Sequence, residues 1–276
     1  MTIQTSDDPT AFNEFEQRGW ETSSAGYERH FTRITRQTVP STLDAAGVTQ
    51  GTRTLDVCTG PGMLVEVAMQ RGATAVGLDF SSEAVEIARR NVPGAEFRQG
   101  DAQALPFDDA SFDAVVCGYG IIHVPDPEKA LEEMHRVLRP GGRVAVSVWQ
   151  APKPTNGFGV LFGAIKRHGN LDVPLPHGPD FFQFSGTETM TATLEAMSFR
   201  GVTAQHVEQT WDIDKATGLV HAILEGTVRA RAMLLAQTEP ARTAIEAAVD
   251  EGIARYRVAG GGFRVPMPAL VGAGTK

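Results

Sequence analysis

A chain of 276 residues, 42% hydrophobic and without an apolar run of membrane length, has room for one substantial core and reads as a globular protein that does not enter a membrane. Its formal charge of −8 arises in the first half, where 13 basic residues stand against 21 acidic ones up to position 150 and 12 against 12 follow; an acidic chain with no basic run argues against nucleic acid and anionic membrane as partners. Two cysteines make neither a disulfide framework nor an unaided zinc site, and the polar opening MTIQTSDDPT is no signal peptide, so a cytoplasmic protein with reduced thiols is expected.

Residues 1 to 11 are expected to be disordered. Helical spacing runs from Phe12 to Ala46, with a break before Pro40 and a stop at Gly47, and Trp20, Tyr27 and Phe31 read as packing residues on it. Strand and helix patterns then alternate. Arg53 to Cys58 leads to a helix over 63–71, Ala73 to Asp79 to a helix over 82–91, and Ala95 to Gln99 to the loop Gly100-Asp101-Ala102. Phe112 to Gly118, a helix over 126–138 and Arg143 to Trp149 complete the run. Such alternation predicts an α/β fold, a doubly wound parallel sheet with helices on both faces.

Beyond Trp149 the pattern breaks. Residues 151–186, rich in Pro, Gly and Phe, far exceed the roughly 2–6 residues of an ordinary connection and predict a lid or binding wall, with Phe158, Phe162, Phe181, Phe182 and Phe184 as its apolar surface. A helix over 187–198, a strand from Val202 to Trp211 and helices over 216–235 and 240–257 follow; the last buries Ala241, Ala244, Ile245, Ala248, Val249 and Ile253. Pro266 and Pro268 confine the final strand to Ala269–Ala273. One domain over 1–276 is expected: a helical cap (12–46), a core (50–149) and lid insertions (151–186 and 215–257).

The chemistry concentrates at the ends of three consecutive strands. Asp56 precedes the turn Gly60-Pro61-Gly62, Asp79 closes the second strand 19 positions after Gly60, and Asp101 follows the third. Ligands of open parallel sheets bind at this carboxyl edge, and glycines there let a ligand approach the N–H groups of a helix start. A dinucleotide fits poorly, because an ionised Asp56 would repel its pyrophosphate and Val65 stands where the third glycine of G-x-G-x-x-G belongs. S-adenosylmethionine (SAM) fits better: a ribose diol for Asp79, an adenine amino group for Asp101, a cationic end for acidic surroundings and a carboxylate for the helix start.

The stretches LDVCTGPG, GLDFSSEAVEIAR, GDAQALPFDDASFD and HVPDPEKALEEMHRVLRPGG, together covering about residues 50–149, resemble the class I SAM-dependent methyltransferases, in particular the small-molecule group that includes the ubiquinone/menaquinone biosynthesis enzymes. The resemblance implies a Rossmann-like seven-stranded sheet whose last strand is antiparallel. It implies that Asp56, Thr59, Gly60 and Gly62 hold the methionine end, Asp79 with Phe80 beside it the ribose, and Asp101 with Ala102 the adenine, while Tyr27 closes over the methionine moiety. Cys58 departs from the family's usual glycine. His123, just past the fourth strand, is the candidate general base, with the turn that follows it as its alternative role, and Tyr119 is a second candidate, for acceptor positioning. His168 and His177 lack ligand spacing, and no metal is assigned. The expected partners are a small, partly apolar acceptor and at most a second copy of the chain. Rival readings are SAM-dependent cyclisation or elimination on the same scaffold, or a non-catalytic SAM-responsive subunit.

Overall fold

Nine strands and ten α-helices occupy the 268 residues, 9–276, that the computed structural model describes. The strands are β1 Arg53–Val57, β2 Thr74–Asp79, β3 Glu96–Gln99, β4 Phe112–Gly118, β5 Leu138–Trp149, β6 Arg200–Val207, β7 Thr210–Ile213, β8 Phe263–Pro266 and β9 Ala269–Thr275. The helices are α1 Pro9–Thr35, α2 Val39–Ala45, α3 Met63–Gln70, α4 Ser82–Asn91, α5 Pro127–Val137, α6 Gly157–His168, α7 Thr187–Ala196, α8 Gly218–Gly226, α9 Arg229–Leu235 and α10 Glu239–Ile253. Expected disorder over 1–8 lies outside the described residues, whereas residues 9–11 are already helical.

The chain divides into two compact units. One comprises residues 35–150, 179–207 and 269–276 and holds a seven-stranded sheet in the order β3-β2-β1-β4-β5-β9-β6. Neighbours from β3 through β5 are parallel, and β9 runs antiparallel between β5 and β6, as expected of the last strand. The chain leaves β1 toward β2 and β3, then returns to lay β4 on the other side. That reversal puts the topological switch point between the carboxyl ends of β1 and β4. The central strands are apolar because both their faces are covered: Leu55, Val115 and Val116 are fully buried, α2, α3 and α4 supply Leu43, Val65 and Ala88, and α5 supplies Ala130, Met134 and Val137 at helical spacing.

Local signals fix where these helices start. Ser81 caps α4 by accepting from Ala84 N at 3.2 Å, and Asp126 caps α5 by accepting from Lys129 N at 3.0 Å, with Pro127 in the first turn. One boundary differs from expectation. Strand β5 begins at Leu138, and Pro140-Gly141-Gly142, expected as a turn, forms an irregularity in its pairing with β4. Gly141 takes a left-handed φ of 81° and donates its N–H to the Lys276 carbonyl, so the ladder continues across the insertion.

The other unit comprises residues 9–34, 151–178 and 208–268. It is mostly helical, with a two-stranded antiparallel sheet, β7 on β8. Three expectations change here. The stretch 151–186 is not a continuous loop but contains α6, capped by Asn156, whose side chain accepts from Gly159 N at 2.8 Å. Helix α6 carries Gly157, Gly159 and Gly163, which disfavour a helix, yet Phe158, Leu161, Ala164 and Ile165 are buried and α10 packs along it. The expected strand Val202–Trp211 is two strands, β6 and β7, and the expected helix over 216–235 is interrupted at Thr227-Val228 to give α8 and α9. On α10 the expected face is present, with Ile245, Val249 and Ile253 fully buried.

Candidate functional site

The turn after β1 is built by side chains that hold backbone. Thr59 donates its hydroxyl to Asp56 Oδ2 at 2.6 Å and its N–H to the Leu78 carbonyl at 2.9 Å, and Gly62 N returns to the Thr59 carbonyl at 3.0 Å. Asp79, at the end of β2, accepts from Gly60 N at 2.9 Å with one oxygen and from Ser81 N at 3.0 Å with the other. The carboxylate therefore ties the ends of β1 and β2 together. Gly60 and Gly62 both have left-handed φ, 51° and 86°, and a Cβ on Gly60 would meet nothing within 4 Å: the turn faces open space. The α3 N-terminus that follows has Gly62 as its cap residue, which brings no side chain to it.

Asp56 is 1% exposed, and its Oδ1 has no hydrogen-bond partner among the described residues. Burial pushes its carboxyl up to about 8, against the Thr59 hydrogen bond and with help from the Asp79 charge. Near neutral pH it holds a proton in the free protein. Repulsion of a pyrophosphate by Asp56 therefore loses its force as an argument against a dinucleotide, while the missing third glycine stands: Val65 is buried in α3.

Across the switch point, β4 is followed by Tyr119-Gly120. Cys58 and Tyr119 are both non-glycine residues in the left-handed region, at φ 58° and 61°. This conformation costs an L-residue about 1–2 kcal/mol and collects at functional sites. The two ends of the crevice are matched to each other, because a Cβ on Gly120 would lie 2.1 Å from Cys58 Cβ. A side chain at 58 thus requires glycine at 120. The Cys58 thiol sits against that of Cys117, and this hydrogen bond together with burial raises Cys58 well above the ordinary thiol range, so it remains a thiol and not a nucleophile.

Tyr119 is 5% exposed and packs on Trp149 with ring centroids 4.3 Å apart. Its hydroxyl meets Thr38 Oγ1 at 3.0 Å; the Thr38 hydroxyl also donates to the Thr35 carbonyl at 2.7 Å. His123 ends the 3₁₀ turn Ile121–His123, with its N–H on the Gly120 carbonyl at 2.9 Å and its half-buried ring edge-on to Phe181 at 5.5 Å. Asp101 is exposed, and its carboxylate accepts from Gln103 N at 2.8 Å and Gln103 Nε2 at 3.1 Å; Gln103 Oε1 in turn accepts from Asp126 N. Gly100 N bonds the Asp79 carbonyl, which sets the Asp101 loop beside the β2 end, with Ala102 buried and the Phe80 carbonyl held by Gln99.

The structure thus brings Asp56, Thr59, Gly60, Gly62, Asp79, Phe80, Asp101 and Ala102 to one carboxyl edge, with Tyr119 and His123 at the end of the neighbouring strand. Tyr27 lies in the other unit, stacked on Phe31 at 5.4 Å and edge-on to Trp20 at 5.4 Å. Sequence reasoning missed Thr38, Gln103 and Trp149. Gln103 was findable from its place two residues after Asp101 in a polar turn, whereas Thr38 is joined to Tyr119 only by the fold.

Residues 55–146 match the family described as a methyltransferase domain. Over that stretch, about a third of the chain, the sequence is similar to methyltransferase domains. The demethylmenaquinone methyltransferase of Renibacterium salmoninarum is 44% identical over 110 residues, 40% of this chain and 46% of that protein. The chain spans about half the length of the curated relatives it matches. Among solved structures, YcgJ of Bacillus subtilis superposes with a TM-score of 0.55 at 22% identity, covering 87% of this chain and 97% of that one. Phosphoethanolamine N-methyltransferase 2 of Haemonchus contortus, in complex with S-adenosyl-L-methionine, gives 0.57 at 18%, covering 95% and 59%. Likeness at these identities concerns the fold.

The residues present fit the cofactor of such a domain. A buried carboxyl oxygen on Asp56 without a hydrogen-bond partner among the described residues suits an ammonium donor, the open glycine turn at the α3 start suits a carboxylate, and a carboxylate at the β2 end suits hydroxyl groups.

Proposed function

We propose that this chain transfers a methyl group from SAM to a small, partly apolar acceptor, and that a reduced quinone of the demethylmenaquinone type is the acceptor class to try first. The observation that carries the reading is the hydrogen-bonded turn Asp56–Thr59–Gly60–Asp79 at the switch point, inside the matched domain. The acceptor class is suggested by the names of the curated relatives.

Asp56, Thr59, Gly60 and Gly62 would hold the methionine end, Asp79 and Phe80 the ribose, and Asp101 with Ala102 the adenine. Bound there, SAM supplies an electrophilic methyl on a sulfonium. The chain's own contribution is to hold the acceptor in line, to keep water out and to take up a proton where the acceptor carries one. The Thr59 and Asp79 hydrogen bonds fix the turn before any ligand arrives, so little ordering remains for the binding step. A ring nitrogen of His123, within one turn of Gly120, would take the acceptor's proton. Supply of isotope-labelled methyl on SAM, with a demethylmenaquinol as acceptor, should place the label in the quinol product. Tight SAM binding with no label in any acceptor, but a cyclised or eliminated product, would replace this reading with other chemistry on the same scaffold.

A further inference from the structure

Away from the sheet, in the helical unit, three side chains from two helices converge. His221 and Glu225 stand one turn apart on α8, and α1 brings His30 to the same carboxylate. His30 Nε2 lies 2.7 Å from Glu225 Oε2, and His221 Nε2 lies 3.3 Å from Glu225 Oε1. The imidazole rings are near perpendicular, at 81° with centroids 5.6 Å apart, so both present a nitrogen to the carboxylate and neither covers the other's face. One ligand atom from each residue can be chosen so that all lie within 4.8 Å of one another.

We propose that His30, His221 and Glu225 form a binding site for a divalent transition-metal ion of the zinc class. Two imidazoles and one carboxylate are the donor set of borderline metals, whereas magnesium and calcium take oxygen donors. Bonds of about 2.0–2.2 Å to zinc put tetrahedral ligands roughly 3.3–3.6 Å apart, so the cluster closes on an ion by side-chain shifts of about an ångström. Exposure is graded across the three, at 20% for the His30 side chain, 33% for Glu225 and 62% for His221. The site is anchored on the α1 side and open on the α8 side, where water can supply a fourth ligand.

Arg29 completes the surroundings. Its Nη1 donates to Glu225 Oε2 at 2.6 Å, which orients the carboxylate and occupies one of its oxygens. The ion therefore takes Oε1, beside His221, and displaces the hydrogen bond that His30 now makes to the carboxylate. The metal would join α1 to α8 within this unit. No spacing along the chain announces such a site, because His30 and His221 stand near opposite ends of the sequence.

The test is calorimetric titration of zinc chloride into the chelator-treated full chain, in wild type and in the variants His30→Ala, His221→Ala and Glu225→Gln. His221 is the least buried of the three, so His221→Ala keeps the fold and the experiment decisive even if another variant unfolds. Wild type should bind one zinc per chain and show a raised unfolding midpoint with zinc; binding should weaken at least about tenfold in each folded variant, and the shift in midpoint should vanish in His221→Ala. Absence of stoichiometric zinc uptake, the same affinity in wild type and His221→Ala, or equal affinity for magnesium would overturn the site and leave a hydrogen-bonded ion-pair cluster with Arg29.

Discussion

The two units of this chain are made by different rules. The sheet unit takes most of its mass from one stretch, residues 35–150, and its chemistry from turns that follow individual strands. The helical unit is assembled from three separated segments, and its contacts join residues far apart in sequence: Phe31 meets Trp211 at 5.0 Å, and His30 meets Glu225. In the first, a short motif defines a site; in the second, neighbours exist only once the unit has folded. The matched methyltransferase domain, residues 55–146, lies wholly within the first.

Substitutions sharpen that contrast. The largest effect is expected from the sheet unit: His123→Ala should lower kcat by roughly 10²- to 10⁴-fold and leave SAM affinity unchanged. Full activity in that variant would mean that positioning alone drives the reaction. In the helical unit the weight falls on packing instead. Ile245 is fully buried on α10, and Ile245→Ala should cost about 2–5 kcal/mol in denaturant unfolding. A cost below about 1 kcal/mol would mean that α10 does not depend on that face.

Asp79→Ala, which removes acceptor oxygens at the turn, should weaken SAM binding by about 1.5–3 kcal/mol in calorimetry. Gly120→Ala should cost about 1–3 kcal/mol by overpacking against Cys58, and Cys58→Gly in the same chain should restore most of it. Additive effects of the two changes would show that the crevice ends are not matched.

A further effect depends on pH. Asp56 titrates at about 8 in the folded chain, above its ordinary 3.8. Between these values the unfolded chain gives up the proton while the folded one retains it, so stability is lost as pH rises from about 4 to about 8 and is level above. Asp56→Asn has no proton to lose and should gain on wild type across that window. Urea midpoints at pH 5 and pH 8 with the same difference between the two proteins would return Asp56 to an ordinary carboxylate.

How much was legible follows from the same division. The glycine turn, Asp79 at the end of β2 and the capping residues Ser81 and Asp126 act on backbone a few positions away, and sequence spacing finds them. The resemblance supplied the seven-stranded sheet with β9 antiparallel. Helix α6 was hidden because three glycines argue locally for a loop; close contacts demand two of them, as a Cβ on Gly157 would lie 2.5 Å from Met267 Sδ and one on Gly159 1.7 Å from the Lys153 carbonyl oxygen, whereas Gly163 faces open space. The raised Asp56 and the pairing of Cys58 with Gly120 depend on burial and on the approach of β1 to β4, which no single stretch encodes.

The central claim is that the turn after β1 is a SAM site, and titration of the full chain with SAM and, separately, with NAD tests it most directly. One SAM should bind per chain, more weakly in Asp79→Ala, with no saturable heat from NAD. Saturable NAD binding at comparable affinity, or SAM affinity indifferent to Asp79, would contradict it.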